Sequence, residues 1–142
     1  MSKTYISAPL RRLVYERAHK ACEYCLIPEI AVFASHEIDH VIAEKHGGQT
    51  EADNLALSCV VCNKYKGSDL ASIDPATREI IRLYHPRQDD WREHFQLEAG
   101  SISPLTSIGQ VTVQLLQINR PERVEERRLL WQANMLSIPE AE

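Results

Sequence analysis

Two short cysteine knuckles constrain this chain more than any other feature. Cys22-Glu-Tyr-Cys25 and Cys59-Val-Val-Cys62 hold all four cysteines and are separated by thirty-three residues. The N-terminal stretch MSKTYISAPLRRL has no apolar leader segment, so a reducing cytoplasmic location is expected, where disulfides are disfavoured. Two Cys-x-x-Cys pairs in such a chain read as one tetrahedral Zn²⁺ site, each knuckle supplying two thiolates. That tetrahedron is closed, leaving no position for substrate. The ion is therefore expected to be structural, stapling an N-terminal helix to whatever unit follows residue 59.

At 142 residues the chain suits one domain of ordinary size. No apolar run approaches the roughly 18 residues of a membrane span. The net charge of −4 is awkward for a nucleic-acid partner, but the charge is uneven. Residues 1–67 balance to zero, and the deficit lies in residues 68–142. The first twenty residues are locally basic, with Lys3, Arg11, Arg12, Arg17 and Lys20 against Glu16 alone. Phosphate contacts would come from such patches and be salt-sensitive.

Residues 8–21 read as a helix capped by Ser7, with Pro9 in its first turn. Leu10, Leu13, Val14, Arg17 and Ala18 form its apolar stripe, and Arg11, Arg12 and Glu16 lie opposite. Strands are expected over 36–41 and 54–58, joined by a loop marked by His46-Gly47-Gly48. A helix follows over 60–66, ended by Gly67. Beyond Ser68, residues 70–75 read as a connector and 79–84 as β-like. Asp90 caps a short helix over 91–95, and 97–102 reads as a strand. Two helices, 106–118 and 121–136, are split by Asn119-Arg120-Pro121. The last is expected to be amphipathic and charge-rich.

Between the knuckles and just beyond lies EIDHVIAEKHGGQTEADNLALSCVVCNKYKG. This stretch resembles the HNH, or ββα-metal, endonuclease motif in its four-cysteine, zinc-stapled form: an Asp-His pair, a Gly-Gly loop, an Asn-Leu, then C-x-x-C-N-x-x-K-G. The resemblance covers the first knuckle and most of 36–67. It implies an α+β fold with a ββα-metal core over residues 1–70. Residues 71–142 would form an α/β-then-helical extension packed on it.

The implied activity is metal-dependent hydrolysis of DNA phosphodiester bonds. His40 would be the general base, since neutral imidazole titrates near neutral pH. Asp39 and, by the resemblance, Asn63 would hold a catalytic divalent cation such as Mg²⁺, which favours oxygen ligands. Asn54 would bond across the loop and orient the base. Lys66, three residues after Asn63 and on the same helical face, reads either as a phosphate contact or as a solvated lysine. Arg11 and Arg12 carry the same two readings. Glu37 shares a strand face with Asp39 and would support the metal shell or face water. His36 and His46 receive no role. DNA would be held mostly through its backbone. A homodimer or a specificity-supplying partner is left open.

The segment Tyr84–Phe95 resembles an extension that follows this motif in bacterial members. Arg87, Arg92 or His94 would either reach DNA or form local pairs while Trp91 and Phe95 complete a core, and the second reading is preferred. The C-terminal helix would pack within the chain or against a partner. Two rival functions keep the cysteines without needing Asp39, His40 and Asn63 together: a non-catalytic zinc-ribbon module that binds nucleic acid, and a protein-interaction adaptor.

Overall fold

A computed structural model describes residues 4–140. Helix α1 (Ala8–Arg17) begins where expected: Ser7 Oγ accepts from Leu10 N, and Pro9 sits in the first turn. It stops four residues earlier than its pattern suggests. His19 and Lys20 adopt left-handed φ of 53° and 58°, reversing the chain so that Cys22 can enter the first knuckle. Val14 is fully buried, but Leu13 lies at the surface, so the stripe is narrower than the periodicity implied. Arg17 donates to the carbonyls of Ala52 and Leu55 at 2.7 and 2.6 Å, fastening α1 to the hairpin.

That hairpin pairs β1 (Glu37–His40) with β2 (Leu55–Ser58), antiparallel, with Ile38 opposite Leu57 and Asp39 opposite Ala56. Alternation divides its faces. Ile38, Leu55 and Leu57 pack with Ile6 and Val14 in one apolar cluster. Glu37 and Asp39 take the other face, toward α2 (Val60–Lys66). Cys59 caps α2 by accepting from Cys62 N, and Gly67 ends it at φ 53°.

Two further hairpins follow: β3 (Ala71–Ile73) with β4 (Ile80–Arg82), then β5 (Phe95–Glu98) with β6 (Ser101–Pro104). Residues 70–75 thus contain a strand where a plain connector was expected. The single strand expected over 97–102 is instead the closing end of a hairpin. Ala99 and Gly100, at φ 50° and 89°, form a tight turn whose twist matches the strands. Asp90 caps α3 (Trp91–His94), as expected. Helix α4 (Ser107–Leu115) starts at the Thr106 cap, and α5 (Pro121–Gln132) ends before the expected 136.

The larger core joins both halves of the chain. Tyr24, Leu26, Ile27 and the four cysteines pack with Tyr84, Trp91, Phe95, Ile102, Leu116 and Ile118. Trp91 Nε1 donates to the Tyr24 carbonyl at 3.3 Å. The aromatic segment 84–95 therefore packs. Arg87 pairs with Glu23, and His94 bonds Thr106 Oγ1 at 2.6 Å. Helix α5 departs most from its sequence pattern. Its buried residues are Arg123 and Arg127, while Leu129 and Trp131 are half exposed.

Gly100 lets α5 approach β5–β6. A Cβ there would lie 2.2 Å from the Val124 carbonyl oxygen and 2.8 Å from Arg128 N. Gly100→Ala is expected to destabilise the fold by on the order of 2 kcal/mol or more, measured as a lower midpoint in urea unfolding.

Candidate metal centre and groove

All four cysteines are buried, and their sulfurs lie within 4.8 Å of one another. A zinc–sulfur bond of about 2.3 Å implies sulfurs roughly 3.8 Å apart around a tetrahedron. Cys25 Sγ and Cys59 Sγ are separated by 3.7 Å. Each knuckle also turns one amide onto its first sulfur: Cys25 N donates to Cys22 Sγ at 3.4 Å, and Cys62 N to Cys59 Sγ at 3.3 Å. Hydrogen bonds from Cys22, Cys25 and Cys62 hold Cys59 far below the ordinary thiol range. Burial pushes Cys22 up, and its sulfur neighbours push Cys62 up. Four buried sulfurs at this spacing are a soft donor set, and it fits Zn²⁺.

The knuckles reach beyond the sulfurs. From the first, Tyr24 Oη donates to Asp39 Oδ2 at 3.0 Å. Glu23 clips β2 twice, its N–H donating to the Leu57 carbonyl and its carboxylate accepting from Leu57 N. The second knuckle opens α2, which carries Asn63 and Lys66.

Beside the thiolates lies a groove of about 870 Å³. Residues 36–40 all line it, with Arg11, Glu44, Lys45 and Asn63 around them. Asp39, His40 and Asn63 thus share one cavity. Asn63 Nδ2 donates to Glu37 Oε1 at 3.0 Å, which fixes the amide and leaves Oδ1 as its available oxygen. Glu37 therefore contacts Asn63 directly.

His40 is held through Nε2, 2.8 Å from Thr50 Oγ1 and 3.3 Å from Glu44 Oε1. The Glu44 carboxylate beside Nε2 favours the tautomer that carries its proton there, with Nδ1 as the basic nitrogen. Glu44 and Thr50 escaped sequence reasoning. Their i+4 spacing and loop position were the available signals, and neither is distinctive.

Asn54 closes the loop between the strands. Its Oδ1 accepts from Ile42 N, and its Nδ2 donates to the carbonyls of Ile42 and Gln49, each at 2.9 Å. Gly48 is pressed against this clamp: a Cβ there would sit 1.7 Å from the Ile42 carbonyl oxygen.

Lys66 occupies neither expected setting. It is only 2% exposed, with Nζ 3.1 Å from Asp39 Oδ2 and 3.4 Å from the His40 carbonyl oxygen. A phosphate could meet it only after this pair opens. Burial raises the Asp39 pKa, and Lys66 and Tyr24 pull against that rise. Arg11 and Arg12 are exposed, Arg11 at the groove and Arg12 one position on along α1. His36 is buried at the groove wall. Its Nε2 donates to the Ile27 carbonyl at 2.8 Å, and Nδ1 has no partner.

The site thus combines a four-sulfur cluster with a ββα unit whose polar residues come from β1, the loop after it and α2. Residues 22–69 match the family model described as HNH endonuclease. It is also 32% identical over 94 residues to the Septu protein PtuA of Bacillus mycoides (strain KBAB4). That match takes in 58% of this chain but only 13% of the relative's length. No solved structure matches the chain. Among the described residues, no helix is long and apolar enough to cross a membrane.

Replacing Lys66 by Met should strand the Asp39 carboxylate in the interior, at a cost of about 3–5 kcal/mol near neutral pH. Because the folded-state pKa of Asp39 is raised, the loss should shrink as pH falls and Asp39 takes up its proton. Unfolding free energies of Lys66→Met and wild type, compared at pH 7.5 and pH 5, would show the gap narrowing. A separate substitution, Gly48→Ala, should break the Asn54 clamp. Faster amide hydrogen exchange at Ile42 would report it.

Proposed function

We propose that the chain is a metal-dependent endonuclease that hydrolyses DNA phosphodiester bonds in the groove along β1. The observation that carries this reading is the convergence of Asp39, His40 and Asn63 on one cavity, with Asn54 clamping the loop beside them. The carboxylate of Asp39 and the free Oδ1 of Asn63 are hard oxygen donors suited to Mg²⁺ or a similar ion. A divalent cation held by these two residues supplies Lewis-acid stabilisation at the scissile phosphate and the leaving oxygen.

The remaining roles belong to the protein. His40 Nδ1 accepts the proton of the attacking water, and Glu44 and Thr50 hold the tautomer that makes Nδ1 available. Asn54 keeps the loop bearing Thr50 in register with His40. Glu37 turns the Asn63 amide so that its oxygen faces a ligand. Tyr24 and Lys66 keep the Asp39 carboxylate oriented, and Lys66 must yield part of its contact when a cation arrives. Arg11 and Lys45 line the cavity and, with the exposed Arg12 next along α1, serve as phosphate contacts, which favours backbone over base recognition.

The test is nicking of supercoiled plasmid by the full chain with Mg²⁺ or Mn²⁺. His40→Ala touches no thiolate and is expected to lose roughly 10²-fold or more of the activity, with its zinc content and circular dichroism unchanged. Chelator also competes for the structural zinc, so the variant is the cleaner control. Retention of DNA without nicking by the wild-type protein would overturn the enzyme reading in favour of a binding module.

A further inference from the structure

We propose that α5 is the counter-charge of the tetrathiolate centre, with Arg123 and Arg127 acting as positioning residues for its metal. Four thiolates around one divalent ion leave two negative charges uncompensated. A charge buried in a protein must be paired or extensively hydrogen-bonded. No lysine or histidine makes a contact with the sulfurs among the described residues. Two guanidinium groups approach from α5, sixty residues beyond the second knuckle.

Arg127 is completely buried. Its hydrogen bonds go only to neutral oxygens: the carbonyls of Gly100, Cys25 and Ile118, and Asn119 Oδ1, at 2.7 to 3.5 Å. Among the described residues no carboxylate pairs with it. The Cys25 carbonyl belongs to a metal-binding residue, so the guanidinium is lodged against the first knuckle. Arg123 lies one helical turn earlier, its Nη2 3.8 Å from Cys59 Sγ. It shares its other side with Glu126 at 3.0 Å. The i,i+4 spacing sets both arginines on one helix face, and that face is buried while Leu129 and Trp131 remain half exposed. Leu130 continues that face onto the larger core, so the inner face of α5 answers a charge as well as an apolar surface.

The inference gives α5 a task independent of nucleic acid: retaining the ion and shielding the thiolates. Its test is zinc transfer from the full chain to a chromogenic chelator, 4-(2-pyridylazo)resorcinol. Arg123→Met and Arg127→Met are expected to release zinc on the order of 10-fold faster or more, as loss of partners around a metal's ligands commonly does. Arg123→Lys and Arg127→Lys keep the charge and should stay near the wild-type rate. Arg128→Gln, on the exposed face of the same helix and paired with Glu125, should behave as wild type. Should Arg127→Met fail to fold, the Arg123 variants decide. Wild-type release from a folded Met variant would overturn the proposal. So would equal acceleration in the Lys variants, which would mark a packing role, or in Arg128→Gln. The readout involves no DNA, so it stands or falls apart from nuclease activity.

Discussion

Four sulfurs brought within 4.8 Å of one another are the constraint on which the rest of this fold depends. Among the described residues the secondary structure around them is slight: three two-stranded hairpins and α-helices of four to twelve residues. Isolated hairpins of this size are marginal in water. The sulfur cluster ties the end of α1 to the start of α2, across the hairpin between them. The backbone near the first knuckle is correspondingly unusual. His19, Lys20 and Leu26 all take left-handed φ, each at roughly 1–2 kcal/mol for a residue with a side chain. Zinc binding, worth about 10–16 kcal/mol in small finger peptides, exceeds that sum.

The same knuckles set the groove's geometry. Tyr24 fixes Asp39 from one knuckle, and α2, capped by Cys59, delivers Asn63 and Lys66 from the other. The spacing between the two oxygen donors is therefore inherited from the thiolate cage. A closed four-sulfur site would take no part in the proposed hydrolysis, yet the cluster fixes where the proposed catalytic groups lie.

Buried charge recurs throughout. Asp39 and Lys66 compensate one another, and Arg127 is wrapped in carbonyl oxygens against the first knuckle. Such groups add little net stability, because desolvation offsets attraction. What they confer is a single arrangement, since displacing either member leaves an unpaired charge in the interior.

Whereas the Asn54 bonds across the loop were implied by the family resemblance, the chain's local signals determined a good deal: the knuckle pairing, the capping by Ser7 and Asp90, and the end of α2 at Gly67. Each depends on residue type at short range, or on a spacing that only one geometry satisfies. The burial of Lys66, the inward arginines of α5 and the Ala99-Gly100 turn inside an expected strand were decided by tertiary structure alone. Lysine and arginine look alike in sequence whether they face water or a buried anion. Which they face depends on the surface that packs against them: for Lys66 it comes from residues at least 26 positions away, and for Arg127 from residues as far as 102 positions away.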